Sequence, residues 1–556
     1  MPTPTDPTLP PATETPRPTA TRTPLPSATP VEAWVEAQLG QMSLAQKAGQ
    51  VILSGVIGSA PSAENCATIT SLLPGGVVYN GANVTTPDGQ RQLSAALQGC
   101  MQDSHGLPLL VALDHEGQFI DRFTSGATLF PSAMAVGASQ DPQNAYRMAM
   151  ASGQELAYAG INLVLGPDAD VLTNPDNAVI STRSYGGDPA QASRFAAQAV
   201  KGYQAAGIIP VLKHFPGHGG VSVDSHTGLP SDPSSLAAVQ QTQLVPFRDG
   251  IAAGADAVMV GHIAYPAIDP SGAPASLSKP LIDLLTRTLG FQGLALSDAM
   301  GMGAITQYGQ SAASAAVLAL KSGLDMVIVS NPADAVETRD RLVSAVQMGT
   351  FSPSRLDDAV RHVLALKAAH NLAAYPLSAR PAPDWSVDQA VSAAIGKSAV
   401  SLVVNNAGLV PLPASVRRVL VIGPSESAMQ SPGLYATLQQ ALRSRQIEST
   451  LAQYALNTPG NKDYTASAAT YDLVLFLTWD AHLNRDAWQI QSVQRLQASG
   501  KPLVVAALKS PFDRLDFANV ATFLATFGTT PGQVQQLADI LAGTAQPQGK
   551  LPVHMP

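Results

Sequence analysis

The stretch KHFPGHGGVSVDSH, Lys213–His226, gathers three histidines, a lysine and an aspartate around three glycines and a proline, directly after the apolar run IIPVL. Lys, Asp and His are rarely buried unless paired, and Gly and Pro weaken the interior of a helix or strand. The stretch therefore reads as a loop that leaves a strand and offers polar groups to a ligand. Three chemistries fit it. His214, His218, Asp224 and His226 could ligate zinc or another divalent ion, although their spacing matches no compact zinc signature. The loop could bind a ligand without reacting on it. Or it could serve glycosyl transfer, which needs a carboxylate nucleophile on one face of a sugar and a proton donor on the other. Asp298, at the end of GLALSD, suits the nucleophile. His226 suits the donor, because imidazole titrates near neutral pH. Asp224, two residues earlier, can orient that imidazole and stabilise its charged form.

These groups need elements to bring them together. Between residues 33 and 372, eight apolar runs of strand length alternate with Ala-rich helical patterns: GQVILSG, GGVVYN, PLLVALD, INLVLGPD, IIPVLKH, AVMVGHI, GLALSD and DMVIVS. Strands that are apolar throughout, with helices between them, imply a parallel sheet buried on both faces. Eight such units predict a (β/α)8, TIM-like barrel, with an open doubly wound sheet as the alternative. In a barrel, chemistry sits at the C-terminal strand ends. There the chain places Asp114, His115, Glu116 and Arg122, then Asp168, Asp170 and Arg183, then Lys213 and His214, then His262, then Asp298. Not all of these need react. His115 and Glu116 read as braces of their loop, His218 as a loop-fixing hydrogen-bond partner, and Asp168 and Asp170 as groups that orient Arg or Lys. His262 is a candidate subsite residue.

A Pro- and Ala-rich break, AAYPLSARPAPDWS, opens a linker over residues 373–394. Beyond it, SAVSLVVN, RVLVIGPS, DLVLFLTW, KPLVVAAL and ATFLATFG predict a smaller αβα sandwich over 395–556. RVLVIGPSES lacks a full G-x-G-x-x-G, which argues against a dinucleotide site. Trp479, Asp480, His482 and Trp488 either line a sugar-facing surface or form a satisfied surface loop.

Composition narrows the function. The chain has 556 residues, 45% of them hydrophobic and 13% charged, with a net charge of -8. No basic cluster suits nucleic acid, and no apolar stretch is long enough for a transmembrane helix. Residues 1–32 are a Pro/Thr-rich spacer that cannot bury enough apolar surface to order itself. It reads either as a tether that places the domains at an envelope, outside the cytoplasm of a bacterial-type cell, or as a tail with no targeting role. Cys66 and Cys100 allow one disulfide in an oxidising compartment, or two free thiols.

KHFPGHGGVSVDSH also resembles the signature of glycoside hydrolase family 3 β-N-acetylglucosaminidases. LDHEGQFIDRF resembles that family's substrate-binding segment and SDAMGM its nucleophile segment, in matching order and spacing, so that the likeness covers residues 33–372. NNAGLVPLP and GKLPVHMP resemble the sandwich of two-domain members. The resemblance implies that Asp298 forms a glycosyl-enzyme intermediate and that His226, partnered by Asp224, acts as acid and then base. It implies that Asp114, Arg122, Arg183, Lys213 and His214 hold the sugar hydroxyls. It further implies a retaining exo-hydrolase with no metal and no organic cofactor. The substrate would be a GlcNAc-containing glycan such as a peptidoglycan fragment. A phosphorylase using phosphate in place of water, or a non-catalytic glycan-binding envelope protein, are the alternatives. Two segments depart from the pattern. Gln118 and Phe119 stand where DHEGGRVxR has Gly and Arg, and Ala299 stands where many members have an acidic residue.

Overall fold

The computed structural model describes residues 31–123, 125–372, 380–429, 431–456 and 463–555. The expected spacer lies outside the described residues up to residue 30, as does the segment 373–379 at the start of the expected linker.

Eight parallel strands close into a barrel: β1 (Ile52–Ser54), β2 (Gly76–Tyr79), β3 (Leu110–Leu113), β4 (Leu163–Val164), β5 (Ile209–Phe215), β6 (Ala257–Val260), β7 (Leu294–Ala299) and β8 (Met326–Val329). Each pairs with the next and β8 returns to β1. All of them fall in the apolar runs read from the sequence, and the open-sheet alternative is excluded by the closure. The strands are apolar on both faces because neither face meets water. Inside, Leu53, Ala112, Leu163, Val211, Met259, Leu296 and Ile328 fill the barrel, so it is a packed core and not a pore. Outside, helices lay one apolar stripe each onto the strands. In the helix Pro189–Ala205, Asp188 caps the first turn by accepting from the Gln191 amide, proline takes a first-turn position, and Phe195, Ala199 and Tyr203 recur at helical spacing on the buried face.

The second domain is a six-stranded sheet with helices on both faces. Its strands are β9 (Ser401–Asn405), β10 (Arg418–Pro424), β11 (Glu448–Tyr454), β12 (Leu473–Thr478), β13 (Leu503–Ala507) and β14 (Thr522–Ala525), in the order β11-β10-β12-β13-β14-β9. All pairings are parallel except β14 with β9. The helices Leu434–Ser444 and Pro531–Ala542 cover one face, and the helix Ala487–Ala498 covers the other. Strand β11, ESTLAQY, is a strand the sequence reading missed. It is an edge strand, mostly half-exposed, and carries too little apolar pattern to announce itself. The expected linker is also shorter than 373–394, because from Trp385 to Ala399 the chain is helical, capped by Asp384. This helix bridges the two domains. Ser392 Oγ donates to the Leu129 carbonyl of the barrel at 2.7 Å, and Ile395 joins the main core.

The domains are sewn together along the loop after β3. Gln118 donates to Thr529 Oγ1 and accepts from the Thr529 amide, both at 2.8 Å. Phe119 meets Trp479 edge-on at 5.6 Å, and the Lys509 ammonium lies 5.0 Å from the Phe119 ring centre. Neither reading of the Trp479–Trp488 segment therefore holds. Trp479 is buried in the interdomain seam, and Trp488 packs against Tyr454, Tyr464 and Phe476.

Cys66, in the helix Ala63–Leu72, and Cys100, in the helix Pro87–Asp103, form a disulfide across a sequence separation of 34. Closing a loop of that length restricts the unfolded chain by about 4 kcal/mol. The Cys66→Ser/Cys100→Ser double variant should lose stability on that scale in urea unfolding, with turnover unchanged because the bridge joins two outer helices. An unchanged unfolding midpoint would contradict this.

Candidate active site

A cavity of about 440 Å³ opens at the C-terminal rim of the barrel. All the residues expected at the site line it except Asp224, which reaches it through His226. Leu165, Met259 and Ile328 form its apolar floor, directly above the packed barrel interior.

One wall is a buried ion network. The Lys213 ammonium sits 2.6 Å from Asp114 and 2.6 Å from Glu116. Arg183 makes a forked contact with the other side of Glu116, Nε to Oε2 at 2.8 Å and Nη2 to Oε1 at 2.9 Å. Arg122 closes on Asp114 at 3.5 Å. Burial alone would protonate Glu116, but Arg183 and then Lys213 outweigh it and hold the carboxyl well below the usual range. Burial would likewise discharge Lys213, but Asp114 and Glu116 raise it instead. Sequence reasoning took Glu116 for a brace of its own loop. It is the shared anion of the site's two buried cations and faces the cavity.

Behind this wall stands Asp170. It accepts from His214 Nδ1 at 2.7 Å and from the His218 amide at 2.5 Å. With Nδ1 donating, His214 Nε2 lies 3.3 Å from Arg183 Nη2 as its acceptor. Asp170 therefore orients histidines, where an Arg or Lys partner was expected. Burial would raise it, but His214 holds it low. Asp168, beside it, is pushed well up by burial and then by the Asp170 charge. Among the described residues, Asp168, Asp170 and His214 are close enough to share a metal ion. The Arg183 guanidinium, 3.8 Å from Asp168, already supplies the positive charge there. The four-residue metal reading gains nothing, since Asp224 and His226 pair with each other and His218 bonds to Ser225.

Asp298, at the end of β7, is recessed in the opposite wall. Its Oδ1 accepts from the Ala299 amide at 2.7 Å. Burial would lift its pKa, but His262 and His214, the Ala299 amide and Lys213 together hold the carboxyl below its ordinary value. Burial also pushes His262 toward its neutral form. His262 itself is fully buried beneath the site, bonded to Ser276 Oγ at 2.7 Å and to the Ala299 carbonyl at 3.0 Å. It supports the residue after Asp298 and is not a subsite residue.

The third part is the loop of the opening motif. His226 Nδ1 lies 2.7 Å from Asp224 Oδ1, and the His226 amide donates to the same oxygen at 2.8 Å. Burial would raise Asp224, but these two contacts lower it. The His226 side chain is 65% exposed, so its free Nε2 reaches both cavity and solvent. His218 is the loop-fixing residue that its setting suggested. Burial pushes it down to about 4, which keeps it neutral, and its Nε2 lies 3.1 Å from Ser225 Oγ. Asn80 and Ser330 also line the cavity and were missed, although they end the runs GGVVYN and DMVIVS that predicted β2 and β8.

The fold agrees with comparisons to known proteins. Residues 35–366 match the Glycosyl hydrolase family 3 N terminal domain and residues 400–556 the Glycosyl hydrolase family 3 C-terminal domain. The chain belongs to glycosyl hydrolase family 3, and is a glycoside hydrolase of the two-domain kind. It is similar to a β-hexosaminidase of Xylella fastidiosa (strain 9a5c), 37% identical over 291 residues that cover 51% of this chain and 84% of that protein. It is also similar to β-hexosaminidase A of Pseudoalteromonas piscicida, 32% identical over 55% of this chain and 57% of that protein, so it spans little more than half of that relative's length. Among solved structures, a family 3 β-N-acetylglucosaminidase from Paenibacillus sp. str. FPU-7 superposes with a TM-score of 0.84 at 31% identity, covering 92% of this chain and 99% of that one. A β-glucoside phosphorylase, with a TM-score of 0.84 at 22% identity over 95% of this chain and 97% of that one, shares the fold alone.

The ion network makes a specific prediction. Glu116→Gln keeps the side chain's shape but removes the anion between Lys213 and Arg183, leaving two buried cations face to face. Breaking a buried pair in this way costs about 3 kcal/mol or more. The variant should lose stability on that scale and show a raised KM. An unfolding midpoint and KM equal to those of the parent would refute it.

Proposed function

We propose that this chain is a retaining exo-β-N-acetylglucosaminidase that removes terminal β-linked GlcNAc from peptidoglycan fragments or related glycans. The observation that carries this reading is that a charged carboxylate, Asp298, and a carboxylate-oriented imidazole, His226, share one cavity with a cationic grip. The β-hexosaminidase and β-N-acetylglucosaminidase relatives support the sugar specificity. Exo action is supported by the cavity floor, because a glycan meeting a filled barrel enters by its end.

In the first step, an Asp298 oxygen attacks the anomeric carbon while the bond to the leaving oxygen breaks. His226 Nε2–H gives its proton to that oxygen. Asp224, accepting from Nδ1–H, holds the tautomer and stabilises the imidazolium that precedes transfer. In the second step, His226 Nε2 takes a proton from water. The resulting hydroxide-like oxygen attacks the anomeric carbon, and the Asp298 carboxylate leaves. Two inversions give net retention. Lys213, Arg183 and Arg122 donate to sugar hydroxyls, while Asp114 accepts from them. We further place the protein outside the cytoplasm. Pairing of Cys66 with Cys100 supports an oxidising compartment, and no helix among the described residues is long and apolar enough to cross a membrane.

The decisive assay uses aryl β-N-acetylglucosaminide and aryl β-glucoside, each with and without phosphate. Release from the first, indifferent to phosphate, is expected. A sugar phosphate product would turn the reading to a phosphorylase, and no release from either would turn it to a binding protein. Asp298→Ala should reduce kcat by roughly 10⁴-fold or more, the scale of losing a nucleophile. A variant that retained activity would remove Asp298 from its role. In His226→Ala, the loss in kcat/KM should grow with the basicity of the leaving group, which an aryl and alkyl glycoside series measures directly.

A further inference from the structure

His226 presents a problem of placement. Its side chain is 65% exposed, and among the described residues its ring hydrogen-bonds only to Asp224, which is itself 42% exposed. No packed wall holds the imidazole over the cavity, so its position must come from the backbone beneath it. That backbone is tied on two sides. From the β5 side, His218 Nε2 holds Ser225 Oγ at 3.1 Å. From the β7 side, the Gly303 amide donates to the His226 carbonyl at 3.0 Å and the Ala304 amide to the Ser225 carbonyl at 3.1 Å. One turn on, Gln307 Oε1 accepts from the Leu229 amide at 2.7 Å. Gly303, Ala304 and Gln307 belong to the short helix Gly303–Gln307, which follows Asp298 directly in the chain.

We infer that the helix Gly303–Gln307 is a clamp that positions His226 relative to Asp298, and that Gly303 is the residue that lets it close. The inference rests on the acid/base reading of His226. A Cβ built at Gly303 would lie 2.6 Å from the His226 carbonyl oxygen and 2.7 Å from the Thr227 carbonyl carbon. Both are main-chain atoms that cannot rotate away. Gly303 is not among the glycines with left-handed backbone, and it sits at the start of a helix, so alanine fits there conformationally. The three atoms nearest that Cβ all belong to the loop main chain at His226 and Thr227. The same segment therefore carries the nucleophile and fastens the acid/base, through two amide bonds and a missing methyl group. Gly303 touches neither sugar nor reacting atoms and is a positioning residue.

Gly303→Ala should lift Ser225–Thr227 and misplace His226 Nε2, leaving Asp298 and the ion network in place. The signature differs from a general loss of structure. A dinitrophenolate departs without a proton, whereas an alkyl or sugar alkoxide does not. For Gly303→Ala, kcat/KM on a dinitrophenyl β-N-acetylglucosaminide should stay within about threefold of the parent, while on an alkyl glycoside it should fall roughly 100-fold. The first substrate thus reports a folded nucleophile and grip. Azide, which needs no base, should raise the kcat of Gly303→Ala on the dinitrophenyl substrate and yield the glycosyl azide. Gln307→Ala, which removes only the Leu229 tether, should shift in the same direction by a few-fold. His226→Ala is measured alongside. If it lacks the leaving-group dependence, the acid/base assignment falls and the clamp with it. If it shows that dependence but Gly303→Ala loses both substrates equally, or neither, the clamp alone is overturned.

Discussion

Glu116 carries a charge out of water between two cations, and the cationic wall of the cavity depends on that arrangement. Lys213 is 1% exposed and Arg183 only 13%, so neither could stay charged there without a partner. A sugar site needs such donors held rigidly, because hydroxyl groups are recognised by direction as much as by charge. Fixing cations in a wall requires an anion that is not the nucleophile. Were Asp298 to serve as that partner, each cation it neutralised would make it a poorer nucleophile. Glu116 and Asp114 take on the neutralisation, and Asp298 is left with an amide hydrogen bond and a distant ammonium. On the proposed function, the site thus separates the carboxylates that build it from Asp298, the one assigned to react.

That separation was only partly legible in the sequence. The barrel strands were readable because strands buried on both faces appear as unbroken apolar runs, whereas their closure is shown only by the pairing of β8 with β1. Strand ends could then be read as a rim. The roles at the rim were less legible, because a carboxylate looks the same in sequence whether it braces, neutralises or attacks. Glu116 was taken for a brace since nothing local tells that its partners come from β5 and from the loop after β4. Asp170 was paired with the wrong residue type for the same reason, its histidine partner being 44 residues on. His262 sits at a strand end like Asp298 but turns beneath the rim, and one residue of register decides which. Strand β11 escaped because an edge strand half in water does not need to be apolar.

The departures from the family pattern acquire a physical explanation at the domain seam. Gln118 and Phe119 stand where the pattern has glycine and arginine. Neither residue lines the cavity. The Gln118 amide is buried against Thr529, and Phe119 lies against Trp479 with Lys509 above it. Two residues further along the same loop are Ile120, which lines the cavity, and Arg122, which pairs with Asp114. The second domain therefore braces the loop that supplies Ile120 and Arg122 to the cavity, while none of its described residues lines that cavity.

Under the proposed double displacement, the contrast between Asp298 and His226 follows from what each would meet. The nucleophile meets only the anomeric carbon, in both steps, and gains from being recessed, desolvated and charged. The acid/base meets the leaving group as it departs and then the water that replaces it, so it must stand where both pass. An imidazole on the solvent side satisfies this but forfeits the packing that would hold it still. Exposure of the ring and anchoring of its backbone are then two halves of one solution. The loop is glycine-rich where it bends toward the cavity, and is tied down at Ser225 and at the His226 carbonyl, on either side of the atom that moves the proton.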